Sequence, residues 1–66
     1  MNLLKLNFLL QKCDREGEKI EEAELIKIEQ VLEKIDNQIK GNIEDNKNKN
    51  EIMDIIKKIK ENNKKS

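Results

Sequence analysis

IEEAELIKIEQVLEKIDNQI, residues 20–39, is the stretch whose period decides the fold. An α-helix turns about 100° per residue. At that step Ile20, Leu25, Ile28, Val31, Leu32, Ile35 and Ile39 fall within one arc of about 140°, an apolar stripe wide enough to pack on more than one neighbour. Leu25, Ile28, Leu32, Ile35 and Ile39 also alternate by three and four, as coiled-coil seam positions do. The run falls short of the roughly three to four heptads that define a sustained coiled coil. Carried forward, the seam meets Asn42, Asn46 and Lys49 and breaks. Glu18, Glu21 and Glu22 place negative charge at the start, where the helix dipole favours it. Gly41, just past the last apolar position, reads as a C-terminal stop. Ile26 falls outside the stripe, among charges: it is either an isolated exposed apolar residue or a second contact.

Upstream lies NLLKLNFLLQKC, residues 2–13, the most apolar segment. As a helix it has two apolar faces, one with Leu3, Leu6, Leu9, Leu10 and Cys13, the other with Leu4 and Phe8. A helix in a two-layer hairpin buries a single stripe. Leu4 and Phe8 are therefore core in a compact three-helix fold; otherwise they are left for a partner or, as a lesser alternative, for insertion at a membrane surface. Lys5 and Asn7 interrupt the run, and no small-residue cleavage site follows, so it does not read as a secretory signal. No segment approaches the ~20 apolar residues of a membrane span. Cytoplasmic residence is the expectation.

Between these segments DREGE, residues 14–18, carries Gly17, a natural helix terminator, and a tight turn there makes an antiparallel hairpin. Downstream, GNIEDNKN, residues 41–48, has turn composition and no period; Ile43 is expected to pack back on the central helix, and Asn48 with Glu51 has N-cap spacing. KNEIMDIIKKIKE, residues 49–61, sets Ile52, Ile55, Ile56 and Ile59 in one stripe with Met53 beside it. The expected architecture is all-α. An antiparallel hairpin of helices over 2–13 and 18–40 is joined by a third over 49–61, in one domain spanning 1–61 with a frayed basic tail at 62–66.

The 66 residues contain one cysteine, no histidine, one phenylalanine and no proline. Short chains draw only a few kcal/mol from their core and usually need a disulfide, a metal or association. One cysteine makes no internal bridge, and without histidine no zinc set is plausible. Association is what remains. Net charge is zero but uneven: residues 14–36 hold nine acids against four bases, and residues 37–66 hold eight bases against five acids.

No pattern in the sequence supports catalytic or metal-binding chemistry. A calcium loop beginning at Asp36 matches at Gly41 and Ile43 but puts Lys40 and Lys47 where carboxylates belong. Glu residues fall on solvated faces, and Cys13 has no histidine to activate it. No catalytic, cofactor-binding or metal-ligating residue is assigned, and the chain is expected to be non-enzymatic.

The expected function is a small helical interaction module, an adaptor, inhibitor-like or structural subunit. It would offer Leu4, Phe8 and Ile26 to a protein partner, with Leu25, Leu32 and Ile39 engaged as well if the partner is a second copy. The competing expectation is a nucleic-acid-binding regulator using Lys57, Lys58, Lys60, Lys64 and Lys65 for phosphate contacts. The single arginine and the lack of tail aromatics weaken that alternative.

Overall fold

Asn2 opens the first helix. Its side-chain oxygen accepts from the Lys5 backbone N–H at 3.2 Å, satisfying one of the amides that a helix start leaves without a partner. In the computed structural model, which describes residues 2–65, three helices follow: α1 Leu3–Glu16, α2 Glu22–Ile35 and α3 Ile43–Lys65. Met1 and Ser66, the outer ends of the expected domain and tail, lie outside the described residues.

Gly17 caps α1 as expected of a helix terminator, but the helix runs to Glu16, three residues past the expected end at residue 13. Gly17 takes the left-handed conformation (φ 68°, ψ 21°). Its N–H donates to Asp14 O at 3.2 Å and the Glu18 N–H to Cys13 O at 2.9 Å, the paired bonds of a Schellman C-cap. Residues 18–21 then form a linker without regular structure before α2 starts at Glu22, four residues later than expected. Ile20, read as the first stripe residue of that helix, belongs to the linker instead. It still packs on the core, and its carbonyl accepts from Asn63 Nδ2 at 2.9 Å.

α2 stops at Ile35 rather than at residue 40, so Gly41 is not its cap. The chain leaves through successive turns over residues 36–41, and Ile39 in that turn packs half-buried against the core. Asn46 holds the connection from below: its Nδ2 donates to Ile39 O at 2.8 Å and to Asn42 O at 2.9 Å. Asn42, not Asn48, is the N-cap of α3, its Oδ1 accepting from the Asp45 N–H at 3.0 Å. Glu44 and Asp45 supply the acidic first turn. α3 therefore begins six residues before the expected start and stays helical through Lys65, so the tail described to that point is not frayed. Asn63, tied to the Ile20 carbonyl, holds it.

Side-chain pairs give the directions. Asn7 meets Asn48 and Asp14 meets Lys58, so α1 and α3 run parallel. Asp36 meets Lys49 and Glu29 meets Lys60, so α2 runs against α3. The result is an up-down-up bundle in which α1 and α2 form the expected antiparallel hairpin. The close backbone approaches are those of α3 with each of the other two. At about 1.5 Å per residue α3 spans about 35 Å, most of the molecule's 39 Å length.

The core is Leu3 and Leu10 from α1, Leu25 and Leu32 from α2, and Ile52, Ile56 and Ile59 from α3. Leu6, Ile28, Ile35 and Ile55 close its edges. Two apolar residues expected inside are outside. Leu9 is exposed on α1, and Ile43 is 88% exposed because α3 starts there and turns it away from α2.

The two glycines separate a backbone requirement from mere turn composition. A Cβ at either meets nothing within 4 Å, but only Gly17 has positive φ. Gly17→Ala is expected to destabilise the fold by about 1–2 kcal/mol, the cost of left-handed backbone for a residue with a Cβ. Gly41→Ala is expected to be neutral or stabilising by up to about 1 kcal/mol through the unfolded state. Urea denaturation of both variants checks this; equal losses would contradict it.

Candidate functional site

On α1, the buried and exposed positions have exchanged the residues one would assign them. Asn7 is 3% exposed, while its neighbour Phe8, the chain's one aromatic, is 64% exposed. Adjacent helical residues are about 100° apart, so burying Asn7 between Leu3 and Leu10 turns Phe8 outward. Leu4, one turn before Phe8, stands beside it at 42% exposed.

The polar stripe position is fully used. Asn7 Nδ2 donates to Asn48 Oδ1 at 3.1 Å and to Glu51 Oε2 at 2.6 Å. Gln11 Nε2 donates to Asn7 Oδ1 at 2.9 Å, and Asn48 Nδ2 to Glu44 O at 3.1 Å. No buried side-chain nitrogen or oxygen among the described residues lacks a partner. Leu4 and Phe8 form the outer wall of an open groove over this network, with Glu44, Lys47 and Glu51 of α3 opposite. Asn7, Gln11, Asn48 and Glu51 were missed as site residues, Asn7 having read as an interruption of an apolar run. A signal was present. Asn7 sits four residues after Leu3 and three before Leu10, and Asn48 four before Ile52, so each continues its helix's buried stripe.

Among the sequence-predicted contact residues, Leu4 and Phe8 share this groove. Ile26, 42% exposed, does not join them: only residues of α1 and α3 line the groove. Leu25 and Leu32 are buried in the chain's own core, and Ile39 packs half-buried against it, so the first two are unavailable to a second copy while the bundle is intact. The heptad spacing that singled them out is answered internally by α3.

The five lysines do not gather into one stripe. Lys60 and Lys64 lie with Glu22 on the side of α3 toward α2, and Lys60 Nζ pairs with Glu29 at 2.5 Å. Lys58 turns the other way, to Asp14 on α1 at 3.4 Å. Lys57 falls near Lys60 and Lys64 by helical spacing, and Lys65 near Lys58. Two of the five are thus matched by the protein's own carboxylates.

Among the described residues no group of three or more histidine, cysteine or acidic side chains is placed to hold a metal ion, and no helix is long and apolar enough to cross a membrane. Burial pushes the Cys13 thiol up from its ordinary value, and Glu18, which accepts from Sγ at 3.4 Å, pushes it further. The thiolate is disfavoured, which is unhelpful for nucleophilic chemistry. No protein-family model, curated protein or solved structure matches the chain, so the groove and its surroundings are the ground for any functional reading.

Truncating Asn7 to Ala leaves Asn48, Glu51 and Gln11 short of their partners in a partly dry site. It is expected to destabilise the fold by about 1–3 kcal/mol. Asn7→Leu combined with Asn48→Leu is expected to cost less than the two single changes together, because the second removes a group the first leaves unpaired. A double-mutant cycle in urea reads the coupling, and strict additivity would contradict it.

A pH dependence follows from Asp36. Its hydrogen bond to Lys49, and that lysine's charge, hold its carboxyl below the usual carboxylate value. A lowered folded-state pKa means stability that is present above the ordinary carboxylate pKa of about 3.9 and lost as pH falls through the depressed value. The stability gap between the native chain and Asp36→Asn should be present at pH 7 and close in stronger acid. A gap that widens on acidification would contradict this assignment.

Proposed function

We propose that the chain is a small non-enzymatic helical interaction module, an adaptor, inhibitor-like or structural subunit, that offers the Leu4–Phe8 edge of α1 to another protein surface. One observation carries the reading: an asparagine occupies the buried position of α1 while the single aromatic beside it is left in water. Fully burying a Phe is worth about 1.5–3 kcal/mol, and burying an amide requires that partners be built for it. Folding alone favours the opposite order. An isolated exposed apolar residue is ordinary, but here Leu4 stands one turn away on the same groove wall. Aromatic anchors of this kind, rimmed by polar side chains, are the usual centre of protein recognition. Ile26 on α2 is a separate, lesser contact point in this reading.

A photoreactive residue placed at position 8, against the same probe at exposed Lys34, tests the proposal. Protein cross-links are expected from position 8 and not from 34. Phe8→Ala is expected to change stability by no more than about 0.5 kcal/mol while weakening the captured complex at least about tenfold. Loss of stability with no effect on the complex would make Phe8 a folding residue and end the proposal. Retardation of generic DNA or RNA at low salt, vanishing at high salt, would replace it with an electrostatic nucleic-acid function.

A further inference from the structure

We propose that α1 has two rotations on the bundle: the observed one, with Asn7 inward, and a second, turned by about 70°, with Leu6, Leu9 and Cys13 inward. The apolar face of α1 is not the face it buries. At 100° per residue Leu3, Leu6, Leu9, Leu10 and Cys13 share an arc of about 120°. The buried residues Leu3, Asn7 and Leu10 centre about 70° to one side of that arc. Leu9 is left 60% exposed while Asn7 is 3% exposed. α1 and α2 are also held apart. Among the described residues no Cα of α1 lies within 8 Å of one in α2, although packed helices stand about 8–10 Å from axis to axis. The gap is an open hollow with Leu6 on one side and Ile28 and Val31 on the other; exposed Glu24 and Lys27 also line it.

The turn that centres the apolar arc carries Leu9 to about the place Leu6 now holds, against Ile28 and Val31. Leu6 and Cys13 move inward, Leu3 and Leu10 stay in contact with the core, and Asn7 returns to water at its edge. Apolar burial favours this state. Amide pairing favours the other, because Asn7 reaches Asn48 and Glu51 only in the observed rotation. Asn48 keeps its bond to the Glu44 carbonyl on its own helix in both. The linker over residues 18–21, without regular structure, lets α1 turn while α2 stays in place. Two packings favoured by different interactions are what a conformational switch requires. The turn also carries Leu4 and Phe8 away from α3 and off the groove wall, so a protein bound at that edge selects the observed rotation. That consequence rests on the interaction-module reading; the rotation itself does not.

Methyl relaxation dispersion on the native chain tests this, since helix rotations of this kind fall in the microsecond-to-millisecond range. The Leu6, Leu9 and Val31 methyls are expected to exchange with a minor state populated at roughly 1%. Leu9→Lys, at an exposed position, should abolish the exchange, because a lysine does not enter the core. Asn7→Asp shifts the balance the other way by setting a carboxylate against Glu51. In that variant the Leu9 methyls should show NOEs to Ile28 and Val31. Alkylation of Cys13 should slow at least about tenfold against the native chain, as the rotation that leaves it accessible is depleted. Flat dispersion in the native chain, exchange that survives Leu9→Lys, or a folded Asn7→Asp with Leu9 still in water would overturn the inference. Should Asn7→Asp unfold, the native exchange and its response to Leu9→Lys decide alone. Absent exchange with cross-links from position 8 intact overturns the rotation and leaves the interaction reading standing. Exchange without such cross-links supports the rotation and removes only its bearing on a partner.

Discussion

The amide pair of Asn7 and Asn48 fixes how α1 is rotated on α3, and most of what is distinctive in this molecule follows from that rotation. Leucine side chains pack acceptably over a range of helix rotations and registers, because apolar attraction has no direction. A buried amide does not: it is satisfied only where its partners stand. Here Asn7 is surrounded by Asn48, Glu51 and Gln11, each at hydrogen-bonding distance from it. With Asn7 held inward, Leu3 and Leu10 enter the core on the turns before and after it. Leu4 and Phe8 are carried out to the surface by the same rotation. Core and candidate site are two sides of one constraint.

The second organising fact is that α3 does the work of two partners. Its stripe is apolar where Ile52, Ile56 and Ile59 lie between α1 and α2, and polar toward its start, where Asn48 faces Asn7. Ion pairs repeat the arrangement at the edges, Asp14 with Lys58 on one flank and Glu29 with Lys60 on the other. Partly exposed pairs of this kind contribute little stability, roughly 0–1 kcal/mol each. They also divide the lysines between two faces of α3. That division is why the lysine-rich end does not form the continuous cationic stripe that phosphate binding would use.

Of the candidate site, a count of helical faces set Leu4 and Phe8 apart from the rest of α1 but left open whether a third helix would cover them; the third helix is present and leaves both exposed. The groove they border was not. It depends on α3 beginning at Ile43, and residues 43–48 contain no apolar period to reveal a helix. The period is there in another chemistry: Asn48 takes the buried place that an isoleucine takes further on. A hydrophobic period cannot register a stripe whose buried member is an amide. The heptad of α2 misled for a related reason. Spacing shows that Leu25 and Leu32 face something, and it is silent on whether that is the same chain or another.

The sequence by itself determined that the chain is helical, and it placed the first break within residues 14–18. Apolar residues recurring at three and four, no proline and a glycine at position 17 are local facts, and helix period and left-handed caps are local physics. It also pointed to the antiparallel sense of α1 and α2 from the break at Gly17, although the connection over residues 18–21 is longer than the tight turn expected. Only the tertiary structure decided that α1 lies parallel to α3, that α2 ends at Ile35 and α3 runs to Lys65, and which apolar residues are left in water. These depend on partners far apart in the chain, Asn7 with Asn48, Lys49 with Asp36 and Asn63 with the Ile20 carbonyl. A hydrogen bond across some forty residues leaves no periodic trace, because its geometry exists only after the helices have met.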